Sequence, residues 1–368
     1  MMMSPLVRFR YPQVAMPGPA SLADDVDLAI ATVYQCLQKL DLKAIGLSEY
    51  NQRYLQEKLV KPEYEFSILH LMLTSTLHRC NKDRKELTFV DFGAGSGIAC
   101  FAAKALGIGS VVYSDIYDVS AKDASLLGEQ TGYPADHYVV GDLPVLAQYL
   151  RKHRLTSDAF ISHDVIEHVY DMQDMFQQLS QMMTLGNTLW LSSAANPLRP
   201  RTRRTLAALA NRYEHTDRSP QWGDKQRDAN KAYLSIRREM IRDMLPTLPP
   251  EQLETLARHT RGLRQDDIQV AVDRFRDTGE MPAVPEHPTN TCDPWTGNWA
   301  ERLMDPYQLV HKLSEFGFDM HVLPGYWAAD PKNASKNLAK RATNFAMQRI
   351  GRLALRHAPY YILFGTRS

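Results

Sequence analysis

The chain has 368 residues, which is enough for one large domain with insertions or for two domains. Its hydrophobic content of 44% supports a full core and excludes wholesale disorder, and its formal net charge of +1 argues against a general nucleic-acid-binding surface. The four cysteines have no metal-ligand spacing and are too few for a disulfide scaffold, so we expect reduced thiols in a cytoplasmic protein.

The N-terminal part of the chain is predicted to be helical after an irregular start. Residues 1–19 contain two arginines but no apolar run, so we expect no signal peptide, and no stretch of the chain is apolar enough for a spanning helix. An amphipathic helix is predicted over residues 21–40, with Ser21 as its N-cap. Residues 50–79 predict one or two further helices, broken near Pro62.

The next segment, residues 89–97, predicts a buried strand that runs into three glycines at alternate positions. Residues 98–106 then predict a helix that ends at Gly107. A strand, a glycine turn and a helix form a cradle in which backbone approaches a ligand at the helix N-terminus. A dinucleotide fingerprint would be G-x-G-x-x-G, but here the third glycine comes one residue early and Ile98 takes the last position.

Three more predicted strands follow, and an acid stands at the end of each of them. Residues 111–115 end in Asp115, eighteen residues after Gly97, and residues 137–142 end in Gly141-Asp142. Residues 157–169 predict a fourth strand and its exit turn, which holds two acids and two histidines. In open parallel α/β sheets, ligands bind at the carboxyl ends of the strands, and an acid at about the distance of Asp115 takes ribose hydroxyls.

The spacing D-x-G-x-G-x-G, which begins at Asp91, resembles the first motif of the class I S-adenosylmethionine (SAM)-dependent methyltransferases. Residues 163–169 are similar to the D-V-L-E-H-V segment of many small-molecule members. The resemblance implies SAM as cofactor and a Rossmann-like α/β fold, a doubly wound seven-stranded sheet whose last strand is antiparallel. An acid near the SAM ammonium and a bare glycine backbone suit this ligand.

The resemblance also assigns roles to residues. The motif from Asp91 to Gly97 would form the methionine pocket, Asp115 would hold the ribose, Asp142 would bind the adenine amino group, and Asp164 would lie near the point of methyl transfer. The full set of expected cofactor-binding residues is Asp91, Gly93, Ala94, Gly95, Gly97, Asp115, Ile116, Gly141, Asp142 and Asp164.

A fifth strand is predicted at 188–193, after which the sheet pattern breaks for about a hundred residues. Helices are predicted there at 201–215, 228–245, 250–258 and 266–277. The core pattern resumes with a helix at 306–316 and strands at 318–323 and 360–365. We therefore predict an N-terminal helical segment at 1–86, a SAM-binding core at 87–196 and 303–368, and a helical insertion at 197–302. The resemblance implies that the first forms part of a lid and that the insertion caps the substrate.

The exit turn of the fourth strand offers the candidate catalytic residues. In resembling sugar and small-molecule O-methyltransferases a histidine at the Glu-His position is the base, which implies that role for His168, with His163 and Glu167 as rivals. The alternative is that Glu167 and His168 only cap or orient the following helix. The Asn-Pro-Pro-Tyr motif of enzymes that methylate planar amides or nucleobases is absent. We predict methylation of a hydroxyl on a small-molecule or glycan-type acceptor, with no nucleic-acid partner and no metal; an N- or protein-directed enzyme and a non-catalytic scaffold subunit stay as alternatives.

Three other segments keep two interpretations each. The polar loop at 287–302, with two tryptophans, suits either polyol binding or an internally bonded loop of Asx turns. The basic residues of the insertion suit a substrate phosphate or carboxylate, or a solvated helix face: Arg199, Arg201, Arg203, Arg204, Lys225 and Arg227. Residues 332–357 form a basic amphipathic helix. We favour a core-packed helix with a basic outer face there, and peripheral contact with an anionic membrane is the alternative.

Overall fold

The structure, a computed structural model, describes residues 19–219, 229–283, 289–329 and 333–368. The chain divides into two compact units. Within the described ranges, unit 1 holds residues 19–165, 173–194 and 306–368, and unit 2 holds residues 166–172 and 195–305. The irregular start predicted for residues 1–18 lies outside the described residues, as do Lys225, Arg227 and Lys332.

Unit 1 is built on seven strands, all in one sheet. They are β1 (Thr88–Phe92), β2 (Ser110–Asp115), β3 (His137–Val140), β4 (Ala159–His163), β5 (Thr188–Ser193), β6 (Phe318–Pro324) and β7 (Tyr361–Arg367). Their order is β3-β2-β1-β4-β5-β7-β6. Strands β1 to β5 pair in parallel, and β7 runs antiparallel to both β5 and β6. The predicted α/β fold with an antiparallel last strand is confirmed.

The helices account for most of the remaining chain. They are α1 (Ala20–Lys39), α2 (Glu49–Val60), α3 (Pro62–His78), α4 (Ile98–Ala105), α5 (Asp118–Thr131), α6 (Leu143–His153), α7 (Met172–Met182), α8 (Pro200–His215), α9 (Tyr233–Met244), α10 (Pro250–His259), α11 (Gln265–Thr278), α12 (Pro306–Glu315) and α13 (Ala334–Met347). The predicted break is confirmed, because Pro62 opens α3, where its missing N–H is not needed. The prediction of Ser21 as the N-cap of α1 is wrong, because the helix begins at Ala20 and Pro19 is its N-cap residue.

One hydrophobic core covers a face of the sheet in unit 1. Helices α1, α3, α4 and α5 contribute buried apolar side chains such as Val26, Phe66 and Phe101. They pack with strand residues that project from the same face, among them Phe89 of β1 and Trp190 of β5. All five residues of β1 and all six of β5 are buried. Burial on both faces is typical of central strands and explains the apolar runs at 89–90 in β1 and 189–191 in β5.

Unit 2 has its own core, and its four helices confirm those predicted in the insertion. Leu234 and Ile241 of α9 pack with Leu256 of α10 and Ile268 of α11. A fully buried ion pair joins Glu214 of α8 to Arg237 of α9. Arg201, Arg203 and Arg204 of α8 are exposed, as expected of a solvated helix face.

Helix α13, in unit 1, departs from the favoured prediction. Leu338 is 72% exposed and Phe345 is 58% exposed, so the expected core-packed apolar face is wrong for this helix. The side that turns inward carries Asn344 and Met347, which are buried. None of the helices in the described ranges has the length and apolar character needed to cross a bilayer.

Candidate functional site

The glycine turn after β1 depends on left-handed backbone at alternate positions. Gly93, Gly95 and Gly97 have φ angles of 76°, 54° and 77°. The amides of Gly93 and Ala94 both donate to the carbonyl of Ser114, at 2.8 and 3.0 Å. A Cβ on Gly93 would stand 2.2 Å from the side chain of Val165, whereas one on Gly95 would meet nothing nearer than Tyr54 at 3.6 Å. The turn is therefore closed beneath Gly93 and open at Gly95, as a backbone cradle for a ligand requires.

Asp115, at the end of β2, fixes the middle of this turn. Its Oδ2 accepts from the Gly95 amide at 2.9 Å, and its Oδ1 accepts from the Tyr117 amide at 2.9 Å. The hydroxyl of Tyr113 donates to the Gly95 carbonyl at 2.7 Å. Both polar groups of Gly95 are thus held by β2. Because a carboxylate has about four acceptor sites in all, this anchoring is compatible with ligand hydroxyls.

Asp91, in β1, is a buried carboxyl whose surroundings suit a cation. Its side chain is only 6% exposed, and the one hydrogen bond recorded for it within the described residues comes from the Cys100 thiol, at 3.8 Å. Burial raises the pKa of Asp91 to about 7. The negative charge of Asp115 adds to this rise, and the positive charge of Lys58 opposes it. A ligand ammonium would restore the ionised form, so the cradle fits the amino acid end of SAM.

Helices α2 and α3 place further groups beside the turn. Lys58 forms an ion pair with Glu65, at 2.9 Å, and lies over the ring of Tyr54, 4.8 Å from its centroid. Although burial opposes ionisation of Glu65, Lys58 outweighs it and lowers the pKa of that carboxyl. The start of α2 is tied to α5, because Asp123 accepts from the Ser48 amide at 3.0 Å and from the Asn51 side chain at 2.7 Å.

The residues after β3 and β2 stand at the same carboxyl edge of the sheet. Gly141 has a φ of 151°, and a Cβ there would meet Val145. Asp142 is exposed and caps α6, its Oδ1 accepting from the Val145 amide at 3.4 Å. Ile116 is partly buried directly after Asp115. The structure therefore shows that Asp142 caps α6, and the adenine contact that the resemblance implies for it stays a prediction.

Asp164 and His163 form the exit of β4. Asp164 has a φ of 53°, which is uncommon for a residue other than glycine. Its amide donates to the Ser192 carbonyl at 2.9 Å, and its Oδ1 accepts from the Ala194 amide at 2.7 Å. The Nδ1 of His163 lies 2.8 Å from the Ser192 hydroxyl, and its Nε2 lies 3.6 Å from Asp164 Oδ2. The end of β5 thus holds both side chains.

Glu167 and His168 belong to unit 2, where the fold brings Glu301 to them. The Nδ1 of His168 lies 2.8 Å from the Trp299 carbonyl, and its Nε2 lies 3.8 Å from Glu301 Oε1. A carbonyl only accepts, so Nδ1 carries the proton and a neutral His168 presents the Nε2 lone pair. Glu167 is buried, and the Arg302 amide donates to its carbonyl at 3.0 Å.

Glu301 is the site residue that sequence reasoning missed. It was visible only as part of the loop at 287–302, and nothing in its spacing links it to His168. One ligand atom each from Glu167, His168 and Glu301 lie within 4.8 Å of one another, so they have the chemistry and spacing to hold a cation. Sequence spacing alone had predicted no metal.

The loop that contains Glu301 has side chains that bond to backbone groups of the same segment. Oδ1 of Asp293 accepts from the amides of Trp295 and Thr296 at 2.8 and 3.3 Å, and Asn290 Oδ1 accepts from the Leu303 amide at 3.1 Å. The two Asp293 bonds are the Asx-type bonds of the second interpretation. His287 and Pro288 lie outside the described residues.

Comparisons with known proteins agree with this geometry. The family profile of a methyltransferase domain matches residues 90–191, which span β1 to β5. None of the curated proteins matches the sequence. The residues matched by the profile contain the glycine turn, Asp115, Asp142 and Asp164. The chain thus carries a class I SAM-dependent methyltransferase domain, and SAM is its cofactor.

Solved structures of other methyltransferases are similar to the chain at low identity. A putative SAM-dependent methyltransferase from Listeria monocytogenes is 11% identical with a TM-score of 0.39, over 83% of this chain and 98% of that one. A putative sarcosine dimethylglycine methyltransferase from Galdieria sulphuraria is 13% identical with a TM-score of 0.37, over 85% and 88%. SMU.776, a putative methyltransferase complexed with SAH, is 14% identical with a TM-score of 0.30. The match covers 38% of this chain and only 38% of the length of SMU.776.

Proposed function

We propose that this SAM-dependent methyltransferase transfers the methyl group to a hydroxyl of a small metabolite or glycan-type acceptor, and that His168 removes the hydroxyl proton. The observation that carries the proposal is the fixed tautomer of His168. Its Nδ1–H is held by the Trp299 carbonyl, so Nε2 is the nitrogen able to accept a proton.

A hydroxyl is a weak nucleophile until its proton is removed, and a positioned base contributes about 10²–10⁴-fold to such a step. Glu301, whose Oε1 lies 3.8 Å from Nε2, stabilises the imidazolium that forms when His168 takes the proton.

His163 is the weaker candidate for the base. The Ser192 hydroxyl that contacts its Nδ1 also accepts from the indole N–H of Trp190, at 3.1 Å. Because Ser192 accepts from Trp190, its own hydrogen is available for His163 Nδ1, which leaves the His163 proton on Nε2, on the side of Asp164. This arrangement suits a residue that orients the end of β4.

The cofactor supplies a methyl group bound to a positively charged sulfur, and the chain supplies the groups that hold it. Asp91 would bind its ammonium, the backbone at Gly95 would receive its amino acid end, and Asp115 would take the ribose hydroxyls. Orientation of the reacting groups contributes about 7–11 kcal/mol in reactions of this kind. The rigid anchoring of Gly95 by Asp115 and Tyr113 supports that function.

The test begins with an acceptor screen using methyl-labelled SAM and a panel of sugars, phenols and lipid-linked glycans, with amines and a peptide mixture as the competing classes. We expect label in a product whose methyl group is an ether. The acceptor found is then used with the variants His168→Gln and His163→Gln. For His168→Gln we expect turnover to fall about 10²–10⁴-fold with unchanged SAM affinity by calorimetry.

The two histidine variants serve as controls for each other, since both remove an imidazole from residues 163–168, at and after the end of β4 in the sequence. A large loss in His163→Gln together with near-normal turnover in His168→Gln would overturn the assignment of the base. Label in an amine or a peptide, with none in any hydroxyl compound, would overturn the acceptor class. SAM binding without transfer to any member of the panel would favour the scaffold alternative.

A further inference from the structure

We propose that helix α13 and the turn behind it form a docking surface for an anionic lipid bilayer. The surface is made of exposed apolar and basic side chains, which we call the α13 surface: Lys336, Leu338, Arg341, Phe345, Arg349, Ile350, Arg352, Leu353 and Arg356. This inference is independent of the methyl acceptor.

Helix α13 is amphipathic, but its large apolar residues Leu338 and Phe345 face outward while the polar Asn344 faces inward. Beside the buried Met347, its inward side is held by polar contacts: the Asn344 side chain accepts from the Trp327 amide at 2.9 Å and donates to the Trp327 carbonyl at 3.0 Å. The ammonium of Lys340 donates to the Ala328 carbonyl at 2.8 Å. Leu338 and Phe345, seven residues apart and hence on one side of the helix, point outward. Polar anchors that hold a helix with its large apolar residues outward indicate that the outer side has a partner.

The turn after α13 extends the apolar part of the surface. Ile350 is 39% exposed and Leu353 is 58% exposed, whereas the neighbouring Ala354 and Leu355 are buried and fix the turn to unit 1. Single exposed apolar residues are normal on proteins, but a cluster of four within sixteen residues is typical of an interaction site.

The charge of the segment selects the partner. From residue 333 to residue 368 the chain has no Asp or Glu, and five arginines or lysines of the α13 surface are exposed. Arg349 lies over the Phe345 ring, 3.4 Å from its centroid, and Arg352 lies over the Tyr307 ring at 4.6 Å. These contacts hold cations next to the apolar residues. Apolar side chains that enter the acyl boundary with cations at headgroup level match an anionic bilayer.

A second copy of the chain fits this surface less well. Two α13 surfaces brought face to face would place arginines against arginines with no acid of the segment to compensate them. Binding to an anionic bilayer is instead stabilised by about 1 kcal/mol, or about fivefold in affinity, for each Lys or Arg near the membrane surface. The observations therefore favour lipid over self-association.

The test is cosedimentation of the full chain with vesicles of phosphatidylcholine alone or mixed with phosphatidylglycerol. We expect binding to the anionic vesicles only, weakened as salt rises because surface charges are screened. Leu338→Ser with Phe345→Ser should weaken binding about tenfold or more, and Arg349→Gln with Arg352→Gln should weaken it about 25-fold.

Matched controls come from exposed residues elsewhere in unit 1. Leu185→Ser removes a leucine that is 77% exposed, and Lys152→Gln removes an exposed cation of α6. Both controls should sediment like the unaltered chain, and SAM calorimetry on every variant verifies that unit 1 is folded. A second readout is Phe345→Trp, whose indole emission should shift to the blue with anionic vesicles.

Three outcomes would overturn the proposal. The first is absence of sedimentation with anionic vesicles. The second is an equal loss of binding in the control variants and in the α13 variants. The third is a change of oligomeric state in the α13 variants with no change in vesicle binding, which would identify a second copy of the chain as the partner.

Discussion

Asp91 offers the sharpest test of the SAM site, because its burial ties ligand binding to fold stability. Folding raises its pKa from an ordinary 3.8 to about 7, so the folded chain disfavours the ionised form. A rise of about 3 units corresponds to about 4 kcal/mol at 1.36 kcal/mol per unit. For an acid with a raised pKa, this loss of stability grows as pH rises between about 4 and 7 and is complete above 7.

Asp91→Asn removes the charge and keeps the shape. Above pH 7 we expect the variant to be more stable than the unaltered chain by up to about 4 kcal/mol, and below pH 4 the difference should vanish. Its SAM affinity should fall, because the ammonium loses a buried ionised partner, by at least about 2 kcal/mol or thirtyfold. Greater stability with weaker binding is expected of a residue kept for its ligand.

The pH dependence of binding separates this explanation from a general change in the site. In the unaltered chain the ligand binds ionised Asp91, so the proton must leave and Kd should rise about tenfold from pH 8 to pH 6. In Asp91→Asn this contribution is absent. At each pH, the ratio of the Kd of the variant to that of the unaltered chain cancels any ionisation of SAM itself.

The assay is titration calorimetry with SAM at pH 6 and 8, in two buffers of different ionisation enthalpy. At pH 6 the unaltered chain should release about 0.9 proton per SAM bound and the variant close to none. The control is Asp142→Asn, which neutralises an exposed acid at the same edge of the sheet. A change in SAM affinity in this variant carries no weight, but the proton release from Asp91 should persist. If Asp91→Asn keeps both its affinity and the parent's proton release, Asp91 does not bind the ammonium.

Two further substitutions address the ribose site and unit 2. Asp115→Ala should weaken SAM binding at least about 100-fold, since it removes the expected ribose acceptor and the anchor of Gly95 together, and an unaltered calorimetric Kd would refute the ribose assignment. Glu214→Gln should lower the free energy of unfolding by about 3–5 kcal/mol in urea, because Arg237 keeps a buried charge without its ionised partner. Although burial opposes ionisation, Arg237 lowers the pKa of Glu214. The loss of unfolding free energy should therefore be present at neutral pH and shrink as pH falls below about 4. The control is Glu251→Gln, on the exposed side of α10, which should unfold in urea like the unaltered chain.

The sheet and the glycine turn were predictable because local sequence determines them. Strands buried on both faces need runs of apolar residues, such as 89–90 of β1 and 189–191 of β5, and a turn with left-handed backbone at Gly93 and Gly97 needs residues without a Cβ. The acid that ends β2 follows from the same logic, since polar groups at the carboxyl ends of buried strands are where ligands bind.

Long-range convergence and the direction of an amphipathic helix were not predictable in this way. His168 contacts the Trp299 carbonyl across 131 residues, and periodicity holds no information on such a contact. For α13, the 3.6-residue period identifies an apolar side but does not say whether it points to a core or to a partner. The inward anchors Asn344 and Lys340 decide that, through hydrogen bonds to backbone groups near Trp327 that only the fold brings close.

Backbone strain gives independent support to the candidate residues. Of the non-glycine residues in the described ranges, three have positive φ: Arg154, Asp164 and Glu301. Arg154 ends α6, where a left-handed residue is ordinary. The other two end no helix, and the conformation costs about 1–2 kcal/mol that glycine would avoid. In unit 1 the bonds of Asp164 to Ser192 and Ala194 offset that cost, and in unit 2 Glu301 stands 3.8 Å from His168 Nε2. Retention of a carboxylate where glycine is easier is expected when the charge itself is needed, which favours Asp164 and Glu301 as functional residues of their respective units.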